Sequence, residues 1–130
     1  MMPAGKYWIG DLCYVLDEVW DDVCKFICSD TPDGEFTLSD GRKFASYGTA
    51  YGDGSYESNI GTLHPVDSGT IGCIKVEDLG GTDDERLNSL GAIVEFSKPF
   101  KTADEDGVIT FGHVEIDTEP PSPPDFANTF

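Results

Sequence analysis

The chain has 130 residues, 38% of them hydrophobic and 12% aromatic, with 25 acidic side chains against 8 basic ones and a net charge of −17. That length fits one domain, which can bury roughly two-thirds of its unfolded surface and needs no metal or disulfide to fold. The aromatic load argues against a disordered acidic segment. The charge argues against direct binding to nucleic-acid phosphates or to an anionic membrane, leaving a basic protein partner, a cation or plain solubility.

In chain order, Lys6 to Leu16 (KYWIGDLCYVL) predicts an opening strand with a break at Gly10-Asp11. It is apolar on both parities, the pattern of a strand covered on both faces. A helix is expected from an Asp17 N-cap to about Ser29, because Val19, Trp20, Val23, Cys24 and Ile27 form one apolar stripe. Glu18, Asp21 and Asp22 stand at its N-terminal end, where the helix dipole favours them.

From Asp33 the pattern becomes one of hairpins. Glu35 to Leu38 and Arg42 to Tyr47 flank Ser39-Asp40-Gly41, a strong turn signal. A second hairpin is expected to pair Ala45 to Tyr51 with Ser55 to Glu57 around Gly52-Asp53-Gly54. A third set follows Pro65, with Ser68-Gly69 as the turn and Thr70 to Val76 as a strand. Glu77 to Leu90 reads as an exposed loop with a short helical turn near Arg86, and Ala92 to Phe96 as a strand closed by Pro99. Thr102 to Gly107 reads as a charged hairpin tip, and Val108 to Asp117 as the last strand, with Gly112 a bulge or a point of close approach. Residues 118–130 carry prolines that cannot join a sheet interior, so a mobile or docking tail is expected there.

About seven strands with one helix near residues 17–29 predict a mainly β domain (α+β minor) over residues 1–117. It would be an antiparallel β-sandwich or a small barrel.

Cys24 and Cys28 are four apart, a helical spacing and not the C-x2-C of a structural zinc site; with Cys13 and Cys73 they read as reduced thiols of a cytoplasmic protein. The N-terminus, MMPAGKYWIG, has no apolar run of leader length, and no stretch approaches the roughly 20 apolar residues of a membrane span.

Ser46 to Gly72, rich in glycine and tyrosine, is the run around which a small-molecule site would be organised. Asp11 follows a glycine inside an apolar run, so if buried it needs partners. Backbone donors at a bulge would make it structural, whereas the mouth of the sheet would make it a ligand or catalytic carboxylate. Gly52-Asp53-Gly54-Ser55-Tyr56 suits a tight turn, or a loop closing on a cation or phosphate, but it lacks the lysine of a P-loop and the length of an EF-hand. Val66-Asp67-Ser68-Gly69 is a turn in which Asp67 caps the backbone. The Gly-x-Ser-x-Gly elbow is absent, which leaves Ser68 without the setting of a hydrolase nucleophile.

His113 shares a parity with Glu115 and Asp117. On an exposed face the three form a polar row; inside a barrel, His113, Glu115, Asp11 and Asp67 could converge on a divalent cation. The candidate pocket is therefore Asp11, Tyr14, Asp53, Tyr56, Asp67 and His113. The runs Asp83-Asp84-Glu85 and Asp104-Glu105-Asp106 are solvated tips, or a surface for a basic partner.

The motifs KYWIGDLCYVL, YGDGSY, VDSGTIG and DGVITFGHVEID together resemble a small uncharacterised protein family of tailed phages, including phages of aquatic bacteria, and of some bacterial genomes. The resemblance spans residues 6–117, with Leu12 where the family more often carries proline. It implies a phage or environmental origin and a compact β fold, and brings no catalytic residues. Two functions follow, and the first is preferred. One is a non-catalytic acidic binding or inhibitory protein acting on a basic protein partner in the host cytoplasm, without a cofactor. The other is a small pocket protein or enzyme with a carboxylate/His site. A virion component with a docking tail is a third.

Overall fold

The structure is a computed structural model that describes residues 1–30, 33–81 and 83–118. Within them run β1 (Gly5–Gly10), α1 (Trp20–Ile27), β2 (Gly34–Thr37), β3 (Lys43–Gly48), β4 (Gly54–Glu57), β5 (Leu63–Val66) and β6 (Thr70–Lys75). Then come α2 (Asp84–Leu90), β7 (Gly91–Phe96), β8 (Thr102–Glu105), β9 (Val108–Phe111) and β10 (Val114–Asp117). Short 3₁₀ turns lie at Leu12–Tyr14, Asp17–Val19 and Val76–Leu79.

The fold is mainly β, with antiparallel pairing throughout. Five strands form the central sheet in the order β2-β3-β6-β1-β7, while β10-β9-β8 and β4-β5 form two smaller sheets. Because strand side chains alternate between faces, the central sheet builds two cores. Tyr7, Ile9, Ala45, Tyr47, Ile71, Cys73, Ala92 and Val94 enter one, where Tyr56, Val66, Ile109, Phe111, Val114 and Ile116 of the small sheets meet them. Trp8, Phe44 and Ile74 enter the other, packed against Leu12, Leu16, Val23, Leu79 and Leu87 of the helices and 3₁₀ turns. The result is three layers, with β1 buried on both faces as its double-parity pattern implies.

One row of the central sheet carries almost no side chains. On the helical face Phe36, Phe44, Ile74, Trp8 and Ile93 lie side by side from β2 to β7. Two residues along, the same face reads Gly34, Ser46, Gly72, Gly10 and Gly91. A Cβ on Gly10 would stand 2.6 Å from the Trp8 ring, and one on Gly91 2.9 Å from it and 2.3 Å from the Ile9 carbonyl oxygen. One on Gly72 would stand 2.3 Å from the Ala45 carbonyl oxygen and 2.8 Å from Leu12. The bare row therefore lets the Trp8 indole lie along the sheet and lets the chain fold back over it directly after β1. The indole N–H donates to the Leu87 carbonyl at 2.7 Å, which fastens α2 to the same spot.

Several expectations need correction. The sheets do not close into a barrel. The opening strand ends at Gly10, because Asp11 caps the 3₁₀ turn at Leu12–Tyr14. The helix starts at Trp20 behind the Asp17–Val19 turn, without a side-chain cap. Gly52-Asp53-Gly54 does not join two strands of a hairpin. The chain leaves the central sheet there with Gly52 at φ 104°, and β4 pairs instead with β5, closed by Ser58 N–H to the Thr62 carbonyl. Ser68-Gly69 links β5 to β6 across two different sheets.

Part of the expected acidic loop is the helix α2, capped by the Asp83 carboxylate on Glu85 N–H at 2.9 Å and held by buried Leu87. Val108 to Asp117 is two strands, since Gly112 at φ 61° turns the chain instead of bulging it; the close approach expected there is present, with a Cβ on Gly112 2.8 Å from the Phe96 ring. Thr102–Glu105 is a strand, and Asp106-Gly107 is the actual tip.

Of the expected tail, Thr118 is buried: its N–H and hydroxyl donate to the Gly107 carbonyl and its hydroxyl accepts Ala50 N–H. Residues 119–130 lie outside the described residues.

Gly72→Ala is expected to destabilise the fold by about 3 kcal/mol or more, because both the β3 backbone and Leu12 must move. Gly41→Ala, whose added Cβ meets nothing within 4 Å, should cost less despite its positive φ. Urea unfolding of the two variants checks the order.

Candidate functional site

Asp11 is fully buried, and it is the one acidic side chain so placed among the described residues. Its Oδ1 accepts the Cys13 N–H at 3.0 Å and the Ser68 hydroxyl at 2.7 Å, and its Oδ2 accepts the N–H groups of Asp67 and Ser68, both at 2.7 Å. Four donors fill the four lone-pair sites that a carboxylate offers. This is how the fold tolerates a buried charge. The same group caps the 3₁₀ turn after β1 and clamps the β5–β6 connection onto it. Ser68 Oγ also lies 2.7 Å from Thr70 Oγ1, which extends the network into β6.

Outside this staple, the Tyr14 hydroxyl donates to Asp67 Oδ2 at 2.5 Å. Burial and that bond both raise the Tyr14 phenol, so it holds its proton at neutral pH. Asp53 comes close from the loop before β4, with Oδ1 3.7 Å from the position of a Cβ on Gly69. Half-buried Cys13 is surrounded by these acids. Its thiol is pushed up to about 12, by burial first, then by the adjoining Asp11 carboxylate and the charges of Asp67 and Asp53. A thiol so held is protonated and a poor nucleophile.

The structure thus gathers Asp11, Tyr14, Asp53 and Asp67 at one end of β1, and leaves the other two candidates elsewhere. Tyr56 is buried in the core, its hydroxyl donating to the Gly52 carbonyl at 2.7 Å. It anchors the loop that carries Asp53. His113 is exposed in the β9–β10 turn, with its ring 5.4 Å from that of Phe96. Phe96 stands opposite Gly5 and Gly91 opposite Gly10. His113 and Asp11 therefore belong to opposite ends of β1, about 17 Å apart along the strand. His113, Glu115 and Asp117 are exposed, as in the polar-row reading, and the alternative convergence of His113, Glu115, Asp11 and Asp67 inside a barrel does not occur.

Among the described residues no group of three or more His, Cys, Asp or Glu side chains is placed to hold a metal ion. Cys13, Cys24, Cys28 and Cys73 are all free thiols. Of the acids expected to meet a basic partner, Asp83, Asp84, Glu85, Glu105 and Asp106 are exposed, whereas Asp104 is half-buried on β8. Burial raises the Asp104 carboxyl, followed by the charge of Asp33.

Three residues carry more than their sequence context signals. His64 is fully buried on β5; its Nδ1 lies 3.1 Å from the Ile9 carbonyl oxygen, and Nε2 has no hydrogen-bond partner among the described residues. Burial lowers its pKa to about 4, so the ring is neutral at pH 7. Arg42 and Arg86, 44 positions apart in sequence, line one cavity. No local motif marks either arginine.

No protein-family model, curated protein or solved structure matches this chain. No helix among the described residues is long and apolar enough to cross a membrane.

Asp11→Asn puts an amide N–H₂ where two donors already point, and is expected to cost about 3 kcal/mol or more. Urea denaturation reads that loss, and an unchanged midpoint would contradict the staple. For His64, the unfolded ring binds its proton near pH 6.5 and the folded ring near 4, so stability is full above about 6.5 and falls as the pH drops towards 4. Between pH 6.5 and 5 the loss should be on the order of 1–2 kcal/mol. His64→Gln should flatten that slope when both proteins are unfolded in urea at the two pH values.

Proposed function

We propose that this is a non-catalytic acidic binding protein, phage-encoded as the resemblance implies, that acts on a basic protein partner in the host cytoplasm. The observation that carries the reading is how the carboxylates divide between core and surface. Asp11 has all of its acceptor sites filled and is unavailable as a base, a nucleophile or a ligand for an incoming group. Asp17, Glu18, Asp21, Asp83, Asp84, Glu85, Glu105 and Asp106 all face solvent.

The ion pairs among the described residues involve Lys6, Lys25, Arg42, Lys43, Lys75 and the N-terminal amine, and so offset only a minor share of the charge. A surface of this kind speeds encounter with a positively charged partner and makes the complex sensitive to salt. Against the pocket reading stands the geometry of its own residues, since four of the six cluster around a saturated carboxylate and the other two lie apart.

The purified protein is expected to form a complex with basic nucleic-acid-binding host proteins at low ionic strength, and to weaken steeply as salt is raised. The double change Asp84→Asn with Glu85→Gln keeps the Asp83 cap, so it should slow association with little change in stability. Surface plasmon resonance across a salt series checks both outcomes. Absence of a complex at every ionic strength would remove the reading.

A further inference from the structure

Both arginines of a chain with 8 basic residues line a single cavity of about 400 Å³. Its wall is built from the 3₁₀ segment after Tyr14, from Arg42 at the start of the β3 side of the first hairpin, from the turn at Asp78, and from Arg86 on α2. The volume is within the range of small-molecule sites, about 300–1,000 Å³. In a protein of net charge −17, two arginines lining one space need a reason.

Their internal bonds leave much of their capacity unused. Arg42 gives Nε and Nη2 to Asp40 Oδ2 at 2.9 and 2.7 Å, and Nη1 to the Asp78 carbonyl at 3.3 Å. Arg86 gives Nη2 to the Tyr14 carbonyl at 3.3 Å and is otherwise exposed. A guanidinium carries five N–H donors, so two remain on Arg42 and four on Arg86 beyond these bonds.

The rest of the wall has the opposite sign. Asp17, Glu18 and Asp78 line the same space, and the charge of Glu18 is one of the influences that raise Arg42. The Asp78 carboxyl is itself raised, by partial burial first and then by Glu77, so a cation beside it would be welcome. A plain anion entering here would gain the arginines but meet three carboxylates and the field of the whole surface. A plain cation would meet the arginines. A ligand with both charges a few ångströms apart satisfies both walls.

We propose that this cavity binds a small zwitterion of the free amino acid or short peptide class, its carboxylate between Arg42 and Arg86 and its ammonium group towards Asp17, Glu18 and Asp78. Asp17 and Glu18 belong both to this site and to the acidic surface, but the site does not depend on a protein partner. Bidentate recognition of carboxylate by guanidinium supplies the orientation, and the acids discriminate against simple anions.

The test is a titration of the full chain with glycylglycine, followed by amide shifts in ¹⁵N-resolved NMR spectra, with acetate, inorganic phosphate and methylammonium as the single-charge probes. Saturable shifts centred on Gly80 and Gly81, which also line the cavity, are expected. Arg86→Gln and Glu18→Gln should each weaken binding about tenfold, the scale of one charge-assisted hydrogen bond. Both residues are exposed, so the variants should fold, and an unchanged thermal midpoint verifies this. Shifts that do not saturate, or that are the same in Arg86→Gln, overturn the proposal. Acetate or phosphate binding as tightly as glycylglycine overturns it too, in favour of a plain anion site.

Discussion

The close approach of backbone and ring across the glycine row is the constraint on which the rest of the molecule depends. Gly10, Gly72 and Gly91 sit side by side in the three strands at the centre and edge of the main sheet. Their bareness lets Trp8 lie flat and Leu12 descend onto the sheet. Had these positions carried side chains, the chain could not double back at Asp11, and neither the staple nor the helical layer would find its place. Glycine in a strand interior weakens the strand locally. Here that loss is offset by burial of the largest side chain in the chain and by the indole bond to α2.

The second organising feature is the way charge is handled. One carboxylate is taken inside and given four donors, while the others among the described residues remain at or near the surface, where water solvates them. The two treatments have different consequences. The interior acid fixes the relation between residues 11 and 67–68, which are far apart in sequence, and so contributes specificity of fold. The exterior acids contribute little to folding, and their mutual repulsion opposes it mildly. Their concentration is better understood through what they meet in solution.

The sequence made the layers legible more readily than the pairings. Alternation on both parities of KYWIG marked a strand buried on two sides, and Asp40-Gly41 marked the first hairpin in nearly its true register. The second hairpin misled because Gly52-Asp53-Gly54 has the composition of a two-residue turn, yet its positive φ values serve to leave one sheet for another. Period and turn chemistry are local, whereas the choice between β3 and β5 as partner of β4 is made by Tyr56, Val66 and the core they enter.

The same limit applies to the site. Asp11 was recognisable as a residue in need of partners, because an acid in an apolar run must be paired. That Ser68 and two backbone amides would answer it was not, since they lie more than fifty residues away. Gly112 and His113 were placed within one strand because nothing in Val108 to Asp117 distinguishes a bulge from a tight reversal. Arg42 and Arg86 gave no signal at all, as their meeting depends on how α2 docks.

The position of β1 has a consequence for how the protein is made. It is made before the other strands described, yet its two neighbours are β6 and β7, so its pairing is not complete until residue 96 has emerged. At about 5–20 residues per second, the nascent segment with Tyr7, Trp8 and Ile9 waits roughly 5 to 20 s before both edges are covered. Through that interval a short aromatic stretch with open edges is held in a chain dense with negative charge. Repulsion between neighbouring nascent chains then acts as a guard against premature association, a service the acidic surface performs before there is a folded surface at all.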